Sequence, residues 1–199
     1  MSTFSNAFAL AAGIGALLGL YGCTEKRPAT PHTATSRAEL KQMRGKTLHG
    51  RAVVYDGDTL RLFTAFPQKP LRVRIWGIDA PELKQRCGAV ACGEIARQRM
   101  NAIIADQPVS CQVKDVDRYK RLVAQCFAQS VDIGRALVQA GLAVDYAQFS
   151  HGAYASDEIT ARTNGAGVWG MANFEEPTHW RICNLPQRGR ARPATCDLP

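Results

Sequence analysis

The sequence predicts a mainly β, α+β domain: five short strands with about three helices, carried between an N-terminal segment and a C-terminal extension. Three observations predict it. Short runs alternate apolar and charged residues, as in Leu60-Arg61-Leu62 and Leu71-Arg72-Val73-Arg74-Ile75, which is the pattern of a half-buried strand. Turn residues punctuate the runs, with Asp56-Gly57 directly after Val53-Val54-Tyr55. Stretches with the helical period interrupt and follow the strands rather than alternating regularly with them.

Taken in order, residues 47–55 form the first strand, 59–64 the second and 71–75 the third. Arg72 and Arg74 share the face opposite Leu71, Val73 and Ile75. Residues 94–104 read as a helix with Ala96, Met100, Ile103 and Ile104 on one face. Strands at 109–114 and 122–128 follow. Residues 132–140 form a second helix with Ile133, Ala136, Leu137 and Ala140 on one face, closed by Gly141. A last helix spans 154–164, with Gly165 and Gly167 past its end. This order fits a five-stranded OB-type barrel, a fold whose face binds nucleic acid. After Trp169 the periodicity dissolves; Phe174, Pro177 and Trp180 read as a segment packing back on the domain, and Arg188, Arg190 and Arg192 as a basic tail. The domain plan is therefore 1–23 signal or lipoprotein anchor, 24–46 tether, 47–170 barrel domain and 171–199 extension.

Residues 8–21 are an apolar run, short for a membrane span and suited to a signal peptide. It ends in Leu20-Tyr21-Gly22-Cys23, a lipoprotein-type cleavage box in which Cys23 becomes the lipidated residue, although no Lys or Arg precedes the run. Residues 25–36, rich in Pro, Thr and Ala, read as a tether, and residues 37–43 as one helical turn. The chain is expected outside the cytoplasm: periplasmic, membrane-anchored through lipid at Cys23, or secreted. Its membrane contact would be through that N-terminus alone.

A net charge of +8 favours a polyanionic partner, nucleic acid or an anionic surface. Seven cysteines are many for a reduced compartment, and without a Cys-x-x-Cys pair a structural zinc site is disfavoured. Setting Cys23 aside, Cys87 pairs with Cys92 across one small loop, Cys111 with Cys126 on consecutive strands, and Cys183 with Cys196 in the tail. Free buried thiols are the competing reading. His49, His151 and His179 are scattered and read as non-catalytic.

Asp58 and Asp79 close two strand-like runs, and Pro81 stiffens the loop beyond the second. Carboxylates brought together repel unless a cation joins them, and an all-oxygen set favours calcium or magnesium. Taken singly, Asp56-Gly57-Asp58-Thr59 is a hairpin turn, Arg74 a solvated strand residue and Glu82 a surface acid. In combination they are more specific. Asp56-Gly57-Asp58-Thr59, then Arg74 followed by Gly77-Ile78-Asp79-Ala80-Pro81-Glu82, then Asp117-Arg118-Tyr119-Lys120-Arg121, resemble the thermonuclease family in motif and order. The resemblance covers roughly residues 47–169.

That resemblance implies a five-stranded barrel with three helices and a calcium-dependent nuclease cutting DNA and RNA to 3′-phosphate ends. It implies that Asp58, Asp79 and the carbonyl of Ala80 bind Ca2+, that Arg74 and Arg121 grip the phosphate, and that Glu82 is the general base. Arg118 and Tyr119 match positions holding a neighbouring phosphate; Tyr119 also reads as a strand-end tyrosine packed on the barrel. Tyr146 and Phe149 stand near family base-stacking tyrosines, or pack on the last helix. Asp56 is a turn acid beside the metal site. The rival class is a non-catalytic binding module of the same fold; a third reading is an envelope accessory protein with restricted activity. A monomer is expected.

Overall fold

A computed structural model of the chain describes residues 35–65, 69–186, 189 and 192–197. The apolar run, Cys23 and residues 24–34 of the tether lie outside the described residues, as do Arg188 and Arg190.

The first strand, β1 (Thr47–Val54), serves two partners in turn. Its first half, Thr47 to Gly50, pairs antiparallel with β5 (Val109–Val116), and its second half, Arg51 to Val54, with β2 (Thr59–Phe63). The hand-over falls at Gly50, where a Cβ would lie 2.2 Å from the Phe63 carbonyl oxygen. Only glycine admits that approach. Strand β2 pairs antiparallel with β3 (Leu71–Ile75), β3 parallel with β6 (Leu122–Ala128), and β6 antiparallel with β5. The ring closes, and the expected five-stranded barrel is present.

The barrel interior is filled by the alternation read in the sequence. Leu60, Leu62, Leu71, Val73, Ile75, Leu122 and Ala124 are all buried, while Arg61 and Arg72 stand exposed between them. Burying one such aliphatic side chain contributes about 2 kcal/mol. Cys111 and Cys126 lie directly opposite each other on β5 and β6, both fully buried, and their disulfide joins the two strands inside the core.

The three anticipated helices are α2 (Cys92–Ile104), α3 (Ile133–Gln139) and α5 (Ala155–Thr163). Helix α2 begins two residues earlier than expected, because Cys92 is drawn to its first turn by the bond to Cys87. Helix α3 is capped by Asp132, whose side chain accepts the Arg135 N–H. Its buried positions are Ile133, Gly134, Leu137 and Val138; Ala136 and Ala140 lie at the margin. The turn anticipated ahead of the barrel is α1 (Arg37–Lys41), with Leu40 buried.

Two features were not anticipated. Strand β4 (Ile78–Asp79) pairs with β8 (Val144–Asp145) in a small second sheet, apart from β7 (Val131–Asp132), which pairs with β6, and ahead of the short helix α4 (Ala147–Ser150). The extension carries a helix, here α6 (Pro177–Asn184), with Pro177 at its start and buried. Phe174 packs edge-on against Trp169, and the Cys183–Cys196 disulfide fastens the helix to the tail.

Candidate active site

The turn between β1 and β2 presents Asp58. Asp56 accepts the Asp58 N–H at 3.1 Å through its side chain, the usual way an Asx residue shapes a turn. Asp58 is then 5% exposed. Its Oδ1 meets Arg74 Nη1 at 2.7 Å and the Thr59 hydroxyl at 3.0 Å, and its Oδ2 accepts the Ala80 N–H at 3.2 Å.

Asp79 sits at the end of β4 and is 1% exposed. Pairing with β8 fixes its backbone, so the carboxylate points back to β3 and Arg74. Arg74 therefore bridges the two acids, with Nη1 on Asp58 and Nη2 on Asp79, each at 2.7 Å. The cation that relieves their repulsion in this structure is a guanidinium, through the fork geometry that suits carboxylates. Burial pushes the Asp79 pKa up, but hydrogen bonds from Arg181 and the charges of Arg74 and Arg181 outweigh it and hold the carboxyl below its ordinary range.

Glu82 follows Pro81 in a loop resting on the start of α2. Gln85, fully buried, accepts the Glu82 N–H at 3.1 Å and donates to the Glu175 carbonyl at 2.6 Å, tying the loop to the extension. Gly93 faces the same loop: a Cβ there would fall 1.8 Å from the Glu82 carbonyl oxygen. The Cys87–Cys92 bond closes the loop from the other side.

Arg121 lies at the entry of β6. The Asp117 side chain organises that turn, accepting the backbone N–H groups of Tyr119 (2.8 Å) and Arg121 (2.9 Å) through Oδ1. Its Oδ2 takes the Arg121 Nε–H at 2.7 Å. That bond orients the guanidinium, whose Nη1 reaches the Thr59 hydroxyl at 3.4 Å. Tyr119 is 56% exposed and has the guanidinium groups of Arg118 and Arg121 at 4.9 and 5.4 Å from its ring centre. It stands off the barrel rather than packing on it.

Asp56, Asp58, Arg74, Ala80, Pro81, Glu82 and Arg121 line one open cleft. The structure thus brings Asp58, Arg74, Ala80, Glu82 and Arg121 together, with Asp79 directly behind. Burial, with Asp58 and Glu82 nearby, pushes the Asp56 carboxyl up to about 6. Such crowding of acids beside two arginines suits a ligand that carries both positive charge and anionic oxygens.

Other expected residues lie apart. Tyr146 and Phe149 stack edge-on with each other at 4.8 Å, and neither lines the cleft. His49 and His151 do not line it either. Arg118 is exposed on the Asp117 turn. The sequence reading missed three residues. Asp117 opens the motif that runs to Arg121, and nothing in the motif itself signals its part in orienting Arg121. Thr178 and Arg181 come from α6, and both bond Asp79: Thr178 Oγ1 donates to Oδ2 at 2.9 Å, and Arg181 donates to Oδ1 at 3.0 Å and Oδ2 at 2.7 Å. A signal did exist: Pro177 marks a helix start, and Thr178 and Arg181 are three residues apart, on one face.

Residues 72–171 match a family model described as staphylococcal nuclease homologue. The succinoglycan biosynthesis protein ExoI of Rhizobium meliloti (strain 1021) is 37% identical over 127 residues, covering 60% of this chain and 63% of that protein, so the chain spans just under two thirds of it. An uncharacterized endonuclease of Haemophilus influenzae is 33% identical over 129 residues, covering 64% of this chain and 69% of the relative. A micrococcal nuclease of Shigella flexneri is 33% identical over 140 residues, covering 64% and 76%.

Proposed function

The chain belongs to the staphylococcal nuclease homologue family, and we propose that within it this protein is an exported, calcium-dependent nuclease that hydrolyses DNA and RNA with little sequence preference. The observation that carries the reading is the convergence of Asp58, Arg74, Glu82 and Arg121 on one cleft. A phosphodiester needs charge neutralised on its oxygens and a water positioned for attack, and those four residue types supply both. Relatives named endonuclease and micrococcal nuclease support it.

The donor set fits a hard cation. The acids and backbone lining the cleft offer oxygen, with no sulfur or imidazole among them. Asp58 and the carbonyl of Ala80 would hold Ca2+, joined by Asp79 from behind once its arginine bonds are released. When bound, the ion neutralises charge on the phosphate oxygens. Arg74 and Arg121 bind the non-bridging oxygens. Glu82 accepts a proton from the attacking water; the water oxygen bonds to phosphorus as the bond to the 5′ oxygen breaks, and that oxygen leaves with a proton from solvent. The products are a 3′-phosphate and a 5′-hydroxyl. Arg118 and Tyr119, stacked on the rim, extend the contact to a neighbouring phosphate.

Purified protein should release acid-soluble nucleotides from single-stranded DNA, duplex DNA and RNA with millimolar calcium, and release none with a chelator. Tight nucleic-acid binding without hydrolysis would reverse the conclusion in favour of the binding module.

We place the protein outside the cytoplasm, in the periplasm or lipid-anchored at Cys23, because an apolar run precedes Gly22-Cys23 and six other cysteines are positioned to pair. Among the described residues no helix is long and apolar enough to cross a membrane. Cell fractionation should find the full chain with membranes and a Cys23→Ser form in the soluble periplasm or the medium. Cytoplasmic retention of both would exclude export.

A further inference from the structure

Asp79 is the most completely bonded group of the site. Its Oδ1 accepts from Arg74 Nη2 at 2.7 Å and Arg181 Nη1 at 3.0 Å, and its Oδ2 from Arg181 Nη2 at 2.7 Å and Thr178 Oγ1 at 2.9 Å. A carboxylate has about four lone-pair sites, and four donors fill them. Asp58 differs: its Oδ2 accepts one N–H, from Ala80, at 3.2 Å. Arg181 also reaches Glu82, with Nη1 at 2.9 Å from Oε1. One guanidinium from the extension therefore spans the acid behind the cleft and the acid within it.

The contact is built into the fold. Thr178 accepts from Arg181 Nη2 at 3.0 Å while donating to Asp79, so two residues on one face of α6 act as a unit. Gln85 holds the chain entering α6 to the Glu82 loop, and Pro177 is buried at the helix start. Cys183, two residues beyond Arg181, is bonded to Cys196. The helix is held at both ends with its cation on the acids.

We propose that Arg181 is a resident counter-ion of the active site: it occupies the carboxylates of Asp79 and Glu82, and must give up its bonds to Asp79 before a divalent cation can bind there. The C-terminal extension thereby sets the calcium affinity of the barrel. This rests on the calcium reading of the site. The physical reason is displacement. A cation entering Asp79 removes a charged hydrogen bond and meets a fixed positive charge, and either effect weakens binding.

The test is calcium affinity of the full-length protein by titration calorimetry, with thermal midpoints in chelator and in calcium. Arg181→Met removes the cation and keeps the length of the side chain. Calcium should bind it about tenfold more tightly or better than wild type, since charged hydrogen bonds of this kind govern affinity on that scale. Its midpoint in chelator should fall below wild type, and the rise on adding calcium should be larger. Arg181→Lys, which keeps charge but loses the two-pronged grip, should fall between them, and it carries the test if the Met form does not fold. Calcium bound equally or more weakly by both variants would overturn the proposal and make Arg181 a residue that merely positions Asp79. Binding by no form, wild type included, would overturn both this proposal and the calcium reading.

Discussion

Arg121→Lys should lower kcat about a hundredfold or more while changing KM only a few-fold. Asp117 holds Nε of Arg121 at 2.7 Å, so the guanidinium is oriented before substrate arrives. Lysine keeps the charge but replaces a planar fork with a single point donor. The ground-state phosphate carries one negative charge and loses little by that change. The transition state accumulates charge on its equatorial oxygens and loses much more, so the effect falls on turnover. Glu82→Gln should cause a loss of similar size by removing proton acceptance. It is the better probe than Glu82→Ala: the amide oxygen can still accept from Arg181, whose bond to Oε1 is 2.9 Å. Thermal midpoints should stay within about 3 °C of wild type, as neither change empties core volume. Rates within a few-fold of wild type for both variants would remove the two residues from the chemistry.

The second large effect concerns stability. Replacing Cys111 and Cys126 together by alanine should lower the thermal midpoint by about 10 °C. The bond spans 15 residues, and opening a loop of that size returns about 3 kcal/mol of conformational entropy to the unfolded chain. Both sulfurs also lie in the closed core, so their loss leaves unfilled volume. The turn that carries Asp117, Tyr119 and Arg121 lies between these strands, so activity should decline at temperatures below the new midpoint. Removing Cys183 and Cys196 should leave the barrel's midpoint nearly unchanged, since that bond fastens the extension. Scanning calorimetry on oxidised proteins distinguishes the two; equal midpoints for the Cys111/Cys126 double variant and wild type would show that the core bond contributes nothing.

The barrel was legible because its strands obey a local rule. Leu60, Leu62, Leu71, Val73 and Ile75 alternate with charged residues, and that alternation survives in the burial of each side chain. The ends were less legible. Helix α2 starts at Cys92 because a disulfide and the close approach of Gly93 to Glu82 set it, and neither is a helical-period signal. The two-residue strands β4 and β8 are too short for any periodicity, yet their pairing is what fixes Asp79. Within the site, residues lying close along the chain were readable as a motif. Arg181 was not, because it meets Asp79 across 102 residues and only tertiary packing brings it there. Arg74 also has a part that spacing alone did not reveal: it joins Asp58 to Asp79 as well as facing the cleft.

The most direct test of the central claim is the end chemistry of the products. A 5′-labelled single-stranded DNA digested with calcium should yield fragments whose 3′ ends are phosphates, removable by a 3′-phosphatase with a matching shift in gel mobility, and the internal fragments should carry 5′-hydroxyls. The same digestion in chelator should leave the strand intact. Fragments ending in 3′-hydroxyl and 5′-phosphate, or cleavage unaffected by the chelator, would contradict a calcium-dependent attack built on Asp58, Asp79, Glu82 and Arg121.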